Sequence, residues 1–177
     1  MEEQTSAAVT TRSSGIRYGV MLGVVSIGIF LILTFAGVDQ TSGVGRWASV
    51  PIYIALIFMA QKYFKDGGDG FMSYGQGMGI TFWLGLISTA IYMPVFYVYV
   101  KFIDSGFVEA IKNKQMEEMQ GRGMSDEQID QAMSFAGAFM TPEAMLLFGI
   151  FGGIIFILIC GLIVTIFTQK PNTQSSI

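Results

Sequence analysis

The chain of 177 residues has no histidine, a single cysteine, and charge on only 13% of its residues. Without imidazole there can be no His-ligated zinc, no haem held by an axial His, and no triad built on a histidine base. The lone thiol, Cys160, cannot form an intramolecular disulfide, and its setting among Ile157, Leu158, Ile159 and Gly161 predicts a desolvated, unreactive group. Soluble domains carry roughly 25% charged residues, so this chain lacks the polar material to coat a globule. Ten Lys and Arg against thirteen Asp and Glu give a net charge of -3, which offers nucleic acid no basic footprint. What is abundant is apolar: 52% of residues are hydrophobic and the mean hydropathy is +0.56. The composition therefore describes an integral membrane protein with the lipid bilayer as its first partner. It points to no enzyme, no cofactor and no metal.

Charge-free stretches mark the spans. The first runs from Tyr18 to Val38, about 21 residues, enough at 1.5 Å per residue to cross a hydrocarbon core of roughly 30 Å. The segment before it, with Glu2, Glu3, Arg12 and Arg17, is not cleanly basic, and the apolar run exceeds a signal peptide's core, so the span should stay attached. The second, 47–63, is shorter. Arg46 and Lys62 can snorkel to extend it, Trp47, Tyr53 and Tyr63 suit an interface, and Pro51 falls in the first turn; a re-entrant segment is the rival reading. The third occupies 78–100, with Pro94 removing the bond to Ala90 and predicting a kink. The fourth occupies 144–167 and stops before Lys170 and Pro171. Thr141, Pro142 and Glu143 supply its N-cap, first position and dipole-compensating acid.

Between spans three and four lies the one polar block, 101–143, rich in acids. Gly121, Arg122 and Gly123 divide it. Beyond the break, Ser125 to Gln128 forms a capping box, and Ile129, Ala132, Met133, Ala136 and Met140 recur at helical spacing. Before it, Val108, Ile111 and Met119 form a weaker stripe. Two amphipathic helices follow, lying on the membrane or packed over the spans. The expected architecture is thus all-α: one membrane domain, residues 1–177, of four transmembrane helices with an amphipathic helical insertion.

Helices in lipid associate through close packing and interhelical hydrogen bonds, for which small residues are the sign. Gly15, Gly19, Gly23 and Ser26 share one face of the first span. Gly77, Thr81, Gly85, Ser88 and Tyr92 share one face of the third, and Gly149 and Gly153, with Cys160 beyond, mark the fourth. Such stripes serve packing within the chain or a homo-oligomer. Four spans place both termini on one side with Arg12, Arg17, Lys62, Lys65 and Lys170, against Arg46, Lys101, Lys112, Lys114 and Arg122 opposite. The counts are equal, but the second set is spread over a longer loop, which favours cytoplasmic termini.

Apart from Lys62 at the edge of the second, no span contains an Asp, Glu, Lys, Arg or His, which argues against ion-coupled carriers and voltage sensors. A facilitative pore would use hydroxyls and carbonyls, with Thr81, Ser88 and Tyr92 as its candidates; interhelical hydrogen bonding is the plainer role for them. Tyr97 and Tyr99 read as an interfacial belt. Met116, Met119, Met124, Met133, Met140 and Met145 follow no copper-ligand spacing and suit an adaptable surface for a partner helix or lipid. The turn from Phe64 to Gly70 lacks the spacing of a calcium loop.

Several segments together resemble a known family: Lys65-Asp66-Gly67-Gly68 leading to Phe71-Met72-Ser73-Tyr74-Gly75-Gln76-Gly77; Tyr99-Val100-Lys101-Phe102-Ile103-Asp104-Ser105-Gly106-Phe107; Gly123-Met124-Ser125-Asp126-Glu127-Gln128-Ile129; and Phe139-Met140-Thr141-Pro142. They are similar to bacterial membrane proteins grouped as domain of unknown function 4199, whose members often have proline where this chain has Ser105. The resemblance implies a four-span protein of the bacterial inner membrane and supplies no catalytic residues. The expected role is a non-enzymatic membrane scaffold or interaction protein whose insertion contacts a partner or the lipid surface. The alternative is a small oligomeric pore or facilitative transporter.

Overall fold

A computed structural model describes residues 9–38, 47–104 and 106–172. Glu2 and Glu3 of the polar leader, Asp39 and Arg46 at the edges of the first two stretches, and Ser105 lie outside the described residues. The described residues are helical almost throughout: α1 (Thr11–Phe35), α2 (Val50–Asp66), α3 (Tyr74–Val98), a π-helical turn (Tyr99–Ile103), α4 (Phe107–Gly121), α5 (Asp126–Gly137) and α6 (Pro142–Thr168). The all-α class expected from the sequence is what forms. Among the described residues three segments are long and apolar enough to cross a membrane: Thr11–Phe35, Tyr74–Ile103 and Pro142–Thr168, with mean hydropathies of 2.3, 1.6 and 2.9. At 17 residues α2 is shorter.

Helix limits depart from the charge-free stretches where local caps take over. α1 starts at Thr11 instead of Tyr18 because Thr10 and Ser13 cap each other's backbone: Ser13 N–H donates to Thr10 Oγ1 at 3.0 Å, and Thr10 N–H donates to Ser13 Oγ at 2.9 Å. This is a capping box with serine in the place usually held by Glu or Gln. The helix stops at Phe35, with Gly37 just beyond in the left-handed region at φ +67°, open to glycine without a Cβ penalty. α3 likewise starts at Tyr74, before Met78, because Ser73 and Gln76 form the same device at 2.7 and 3.2 Å. The expected box at Ser125 and Gln128 is present, as is the Thr141 cap, whose Oγ1 accepts from Ala144 N–H at 3.2 Å.

The chain divides into two compact units, the first comprising 1–91 and 153–177, the second 92–152. In the first, α1 runs antiparallel to α2: Val9, just before α1, packs on Gly67 at the end of α2, and Ser14 Oγ donates to the Ala60 carbonyl at 2.6 Å. Tyr18 packs on Tyr63 with ring centres 5.8 Å apart. α1 runs parallel to α3, and α6 antiparallel to α3, as the glycine contacts below show. The starts of α1 and α3 therefore share one end with the finishes of α2 and α6. That end is closed by Met72 and Lys170, which exchange two backbone hydrogen bonds of 2.9 Å, and by Lys65 Nζ, which donates to the Thr168 carbonyl at 2.8 Å.

Polarity in this unit is reversed relative to a soluble protein. Ser14, Gln61, Thr81, Ser88, Thr89, Thr165 and Thr168 are buried beside Leu22, Ile57, Ile80 and Leu84, while Ile32, Phe82, Ile159, Ile163 and Phe167 stand exposed. Water would penalise such a surface, and hydrocarbon would not. Helices inside and large apolar side chains outside mark a membrane-embedded protein.

The second unit holds the last turns of α3, the π-helical turn, α4, α5 and the first turns of α6. Phe107, opening α4, packs edge-on against Phe96 and Tyr99 at 5.6 and 6.4 Å. Gly123, at φ +78°, turns the chain between α4 and α5. Lys101 Nζ pairs with Glu143 at 2.6 Å and also donates to the Tyr97 hydroxyl at 2.7 Å, joining the end of α3 to the start of α6.

Candidate functional site

Glycine spacing sets how closely the helices of the first unit approach. A Cβ built on Gly15, Gly19 or Gly23 would lie 2.5, 2.9 and 2.9 Å from the Cβ of Trp83, Ile87 and Ile91 in turn. The stripe on α1 is thus a parallel seam with α3, advancing four residues on each helix per step. On its other side α3 meets α6: Gly77 faces Thr165, Thr81 faces Gly161, Gly85 faces Ile157 and Thr89 faces Gly153. Each step forward on α3 is a step back on α6. In the second unit Gly149 lies against Met93. All seven packing glycines named from the sequence except Gly149 fall in the first unit. Gly161, whose Cβ would collide with Thr81, was missing from that set.

Where these seams meet α2, one residue joins three helices. Gln61 is fully buried, and its Nε2 donates to Thr165 Oγ1 at 2.8 Å, with longer contacts of 3.3 Å to Thr81 Oγ1 and the Gly77 carbonyl. Its Oε1 accepts from the Thr168 hydroxyl. Thr81 also donates to Gly77 O, and Thr168 to Val164 O, so each hydroxyl is anchored to its own helix as well. Among the described residues no buried side-chain nitrogen or oxygen lacks a partner. Gln61 was hidden in the sequence because it ends a short apolar stretch beside Lys62 and reads as a boundary; Thr165 and Thr168 were hidden within an otherwise apolar run. The available signal was one amide in a charge-free stretch, which lipid would leave unsatisfied.

The three hydroxyl residues considered for a pore have these surroundings. Thr81 belongs to the Gln61 cluster. Ser88 is buried and donates to the Gly85 carbonyl of its own helix at 3.1 Å. Tyr92, in the second unit, stacks on Phe96 at 5.9 Å.

Cations gather at the closed end of the first unit and rest on aromatic rings. Arg12 lies over Trp83 at 5.1 Å, Arg17 over Tyr63 at 4.6 Å and Lys170 over Phe71 at 5.2 Å.

In the second unit the amphipathic helices face each other across an open groove of about 370 Å³. It is lined by Val108, Ile111 and Gln115 of α4, by Phe135, Ala136, Phe139 and Met140, and by Met145 of α6. The stripes read from the sequence at Val108 and Ile111, and at Ala136 and Met140, meet here. Phe135 remains 74% exposed. Along α4 and α5 Glu109, Glu117, Glu118, Asp126, Glu127 and Asp130 are all exposed, with Lys112, Lys114 and Arg122 interspersed among them.

A family model described as protein of unknown function (DUF4199) matches residues 17–170, both units included. No curated protein and no solved structure matches the chain.

Proposed function

We propose, for a chain that belongs to the DUF4199 family of proteins of unknown function, a non-enzymatic role as a membrane-anchored interaction protein whose insertion docks a partner helix. The observation that carries this is the apolar groove between α4 and α5. An apolar trough of this kind takes the nonpolar stripe of an amphipathic helix, and the methionines that line it adapt to the side chains that enter. The two helices and their turn carry six acids against Lys112, Lys114 and Arg122, an excess that favours a partner whose polar face is basic over the anionic surface of a bilayer.

The membrane part is an anchor of four spans in the bacterial inner membrane, with α2 the shortest. Its 17 residues rise about 25 Å, and Lys62 and Lys65 extend its reach to the headgroups. Both termini lie in the cytoplasm on this reading, because Arg12, Arg17, Lys62, Lys65 and Lys170 crowd the end where the chain starts and finishes. Support for the anchor comes from the antiparallel run of α1 and α2 and the apolar exterior.

Two experiments test the proposal. A photo-crosslinking residue at Phe135 in cells should capture a segment with an apolar stripe and a basic face, and Ile111→Asp should abolish capture. Adducts only with lipid, or only with a second copy of the chain, overturn it. In a Cys160→Ala background, single cysteines at Gly43 and Gly68, on either side of the second span, should react with an impermeant maleimide from opposite sides; labelling from the same side overturns the four-span anchor.

A further inference from the structure

The seam between α1 and α2 near the closed end of the first unit presents a cation and two phenols whose polar groups no described residue meets. Arg17 is the last charge on α1 before an unbroken apolar run, and it sits about 9 Å along the axis from the start of the helix. Its guanidinium lies 4.6 Å over the Tyr63 ring, which covers one face and leaves its N–H groups directed elsewhere. Arg17 forms no ion pair among the described residues. Tyr18, only 9% exposed, and Tyr63, whose ring centre is 5.8 Å away, make no hydrogen bond through their hydroxyls among those residues. Lys62, next to Tyr63 on α2, is exposed and equally unpaired.

A cation at the border of a hydrocarbon layer attracts anionic headgroups, because its field is poorly screened there. Among the described residues none pairs with it. We infer that Arg17, Tyr18, Tyr63 and Lys62 form a site for the phosphodiester of an anionic phospholipid. The fork of Arg17 matches two phosphate oxygens, the two phenols donate to the remaining oxygens, and Lys62 adds charge from the second helix. The acyl chains would then run along the exposed apolar face of α1, past Val20, Val24 and Ile32. Tyr63 has two parts in this: its ring holds the guanidinium and its hydroxyl meets the ligand. The inference requires α1 to lie in the bilayer. It is independent of whatever the insertion binds.

The test uses the full chain in detergent, titrated separately with dioleoylphosphatidylglycerol, dioleoylphosphatidylcholine and inorganic phosphate, with bound lipid counted by native mass spectrometry. One phosphatidylglycerol should bind about tenfold more tightly than phosphatidylcholine, as expected for a charge-assisted contact. Arg17→Gln should remove that preference, Tyr63→Phe should reduce it about threefold, and Lys112→Gln, with the same change of charge elsewhere, should leave it intact. Equal binding of the two lipids, or an unchanged preference in Arg17→Gln, overturns the site. Displacement of phosphatidylglycerol by millimolar inorganic phosphate would assign the site to the free anion and overturn the lipid. Arg17→Lys, which keeps the charge without the fork, guards against misfolding: it should fold as the parent does and retain part of the preference.

Discussion

Replacing Gln61 by leucine keeps the bulk and the burial but removes the one side chain that bonds α2 to both α3 and α6. The loss comprises one good donor bond to Thr165, the acceptor for Thr168, and two long contacts of 3.3 Å. Thr81 and Thr168 keep bonds of 3.0 Å to carbonyls of their own helices, so neither hydroxyl is stranded. Thr165 keeps only a 3.9 Å contact to Met78 Sδ. Interhelical hydrogen bonds in membrane proteins average about 0.6 kcal/mol, so the four together come to roughly 2 kcal/mol. The chain carries its own reporter, since Cys160 is its only thiol and is 7% exposed, next to the Gly161 contact with Thr81. If labelling follows opening of this seam, a loss of about 2 kcal/mol raises the rate at which Cys160 reacts with a maleimide by roughly 30-fold. A rate within about threefold of the parent refutes the idea that Gln61 ties the three helices together, since that is no more than a single such bond would give.

Further outcomes follow from the same contacts. Gly19→Ala places a methyl 2.9 Å from Ile87 Cβ and from the Leu84 carbonyl, so it should lower stability by about 1–3 kcal/mol, whereas Gly28→Ala, with nothing within 4 Å, should be neutral or slightly stabilising; thermal unfolding in detergent followed by circular dichroism separates them. Gly161→Ala collides with the methyl of Thr81, and Thr81→Ser, which removes that methyl, should recover part of the loss with a coupling of about 0.5–3 kcal/mol in a double-mutant cycle. The Lys101 pair with Glu143 is exposed on both sides, so Lys101→Gln should shift the unfolding midpoint only at low ionic strength and not in 1 M salt, where the Debye length is about 3 Å.

The parts of the fold that were legible were those in which one residue type has one physical use. Glycines four apart on an apolar stretch have little use except close approach, and Gly15, Gly19 and Gly23 lie at the seam with α3. Ser125 and Gln128 begin a helix because the reciprocal cap satisfies two backbone donors at once. Hydroxyls are less legible. Thr81 could turn to water, to its own helix or to a neighbour, and its surroundings depend on Gln61, twenty residues earlier on another helix. The Gln61 site depends on Thr165 as well, at a separation of 104 residues, which no local pattern can announce. The helix starts at Thr11 and Tyr74 escaped a reading by charge because polar caps extend a helix past the apolar run it contains.

The interlock of α3 with α6 restricts how this protein can move. Thr81 sits against Gly161 and Gly85 against Ile157, alternating bulk with bare backbone on both partners. Sliding by a full turn, about 5.4 Å, would drive Thr81 onto Ile157 or leave two glycines facing across a void. Neither position is an alternative resting place, so this pair cannot act as a piston and stands as one fixed post.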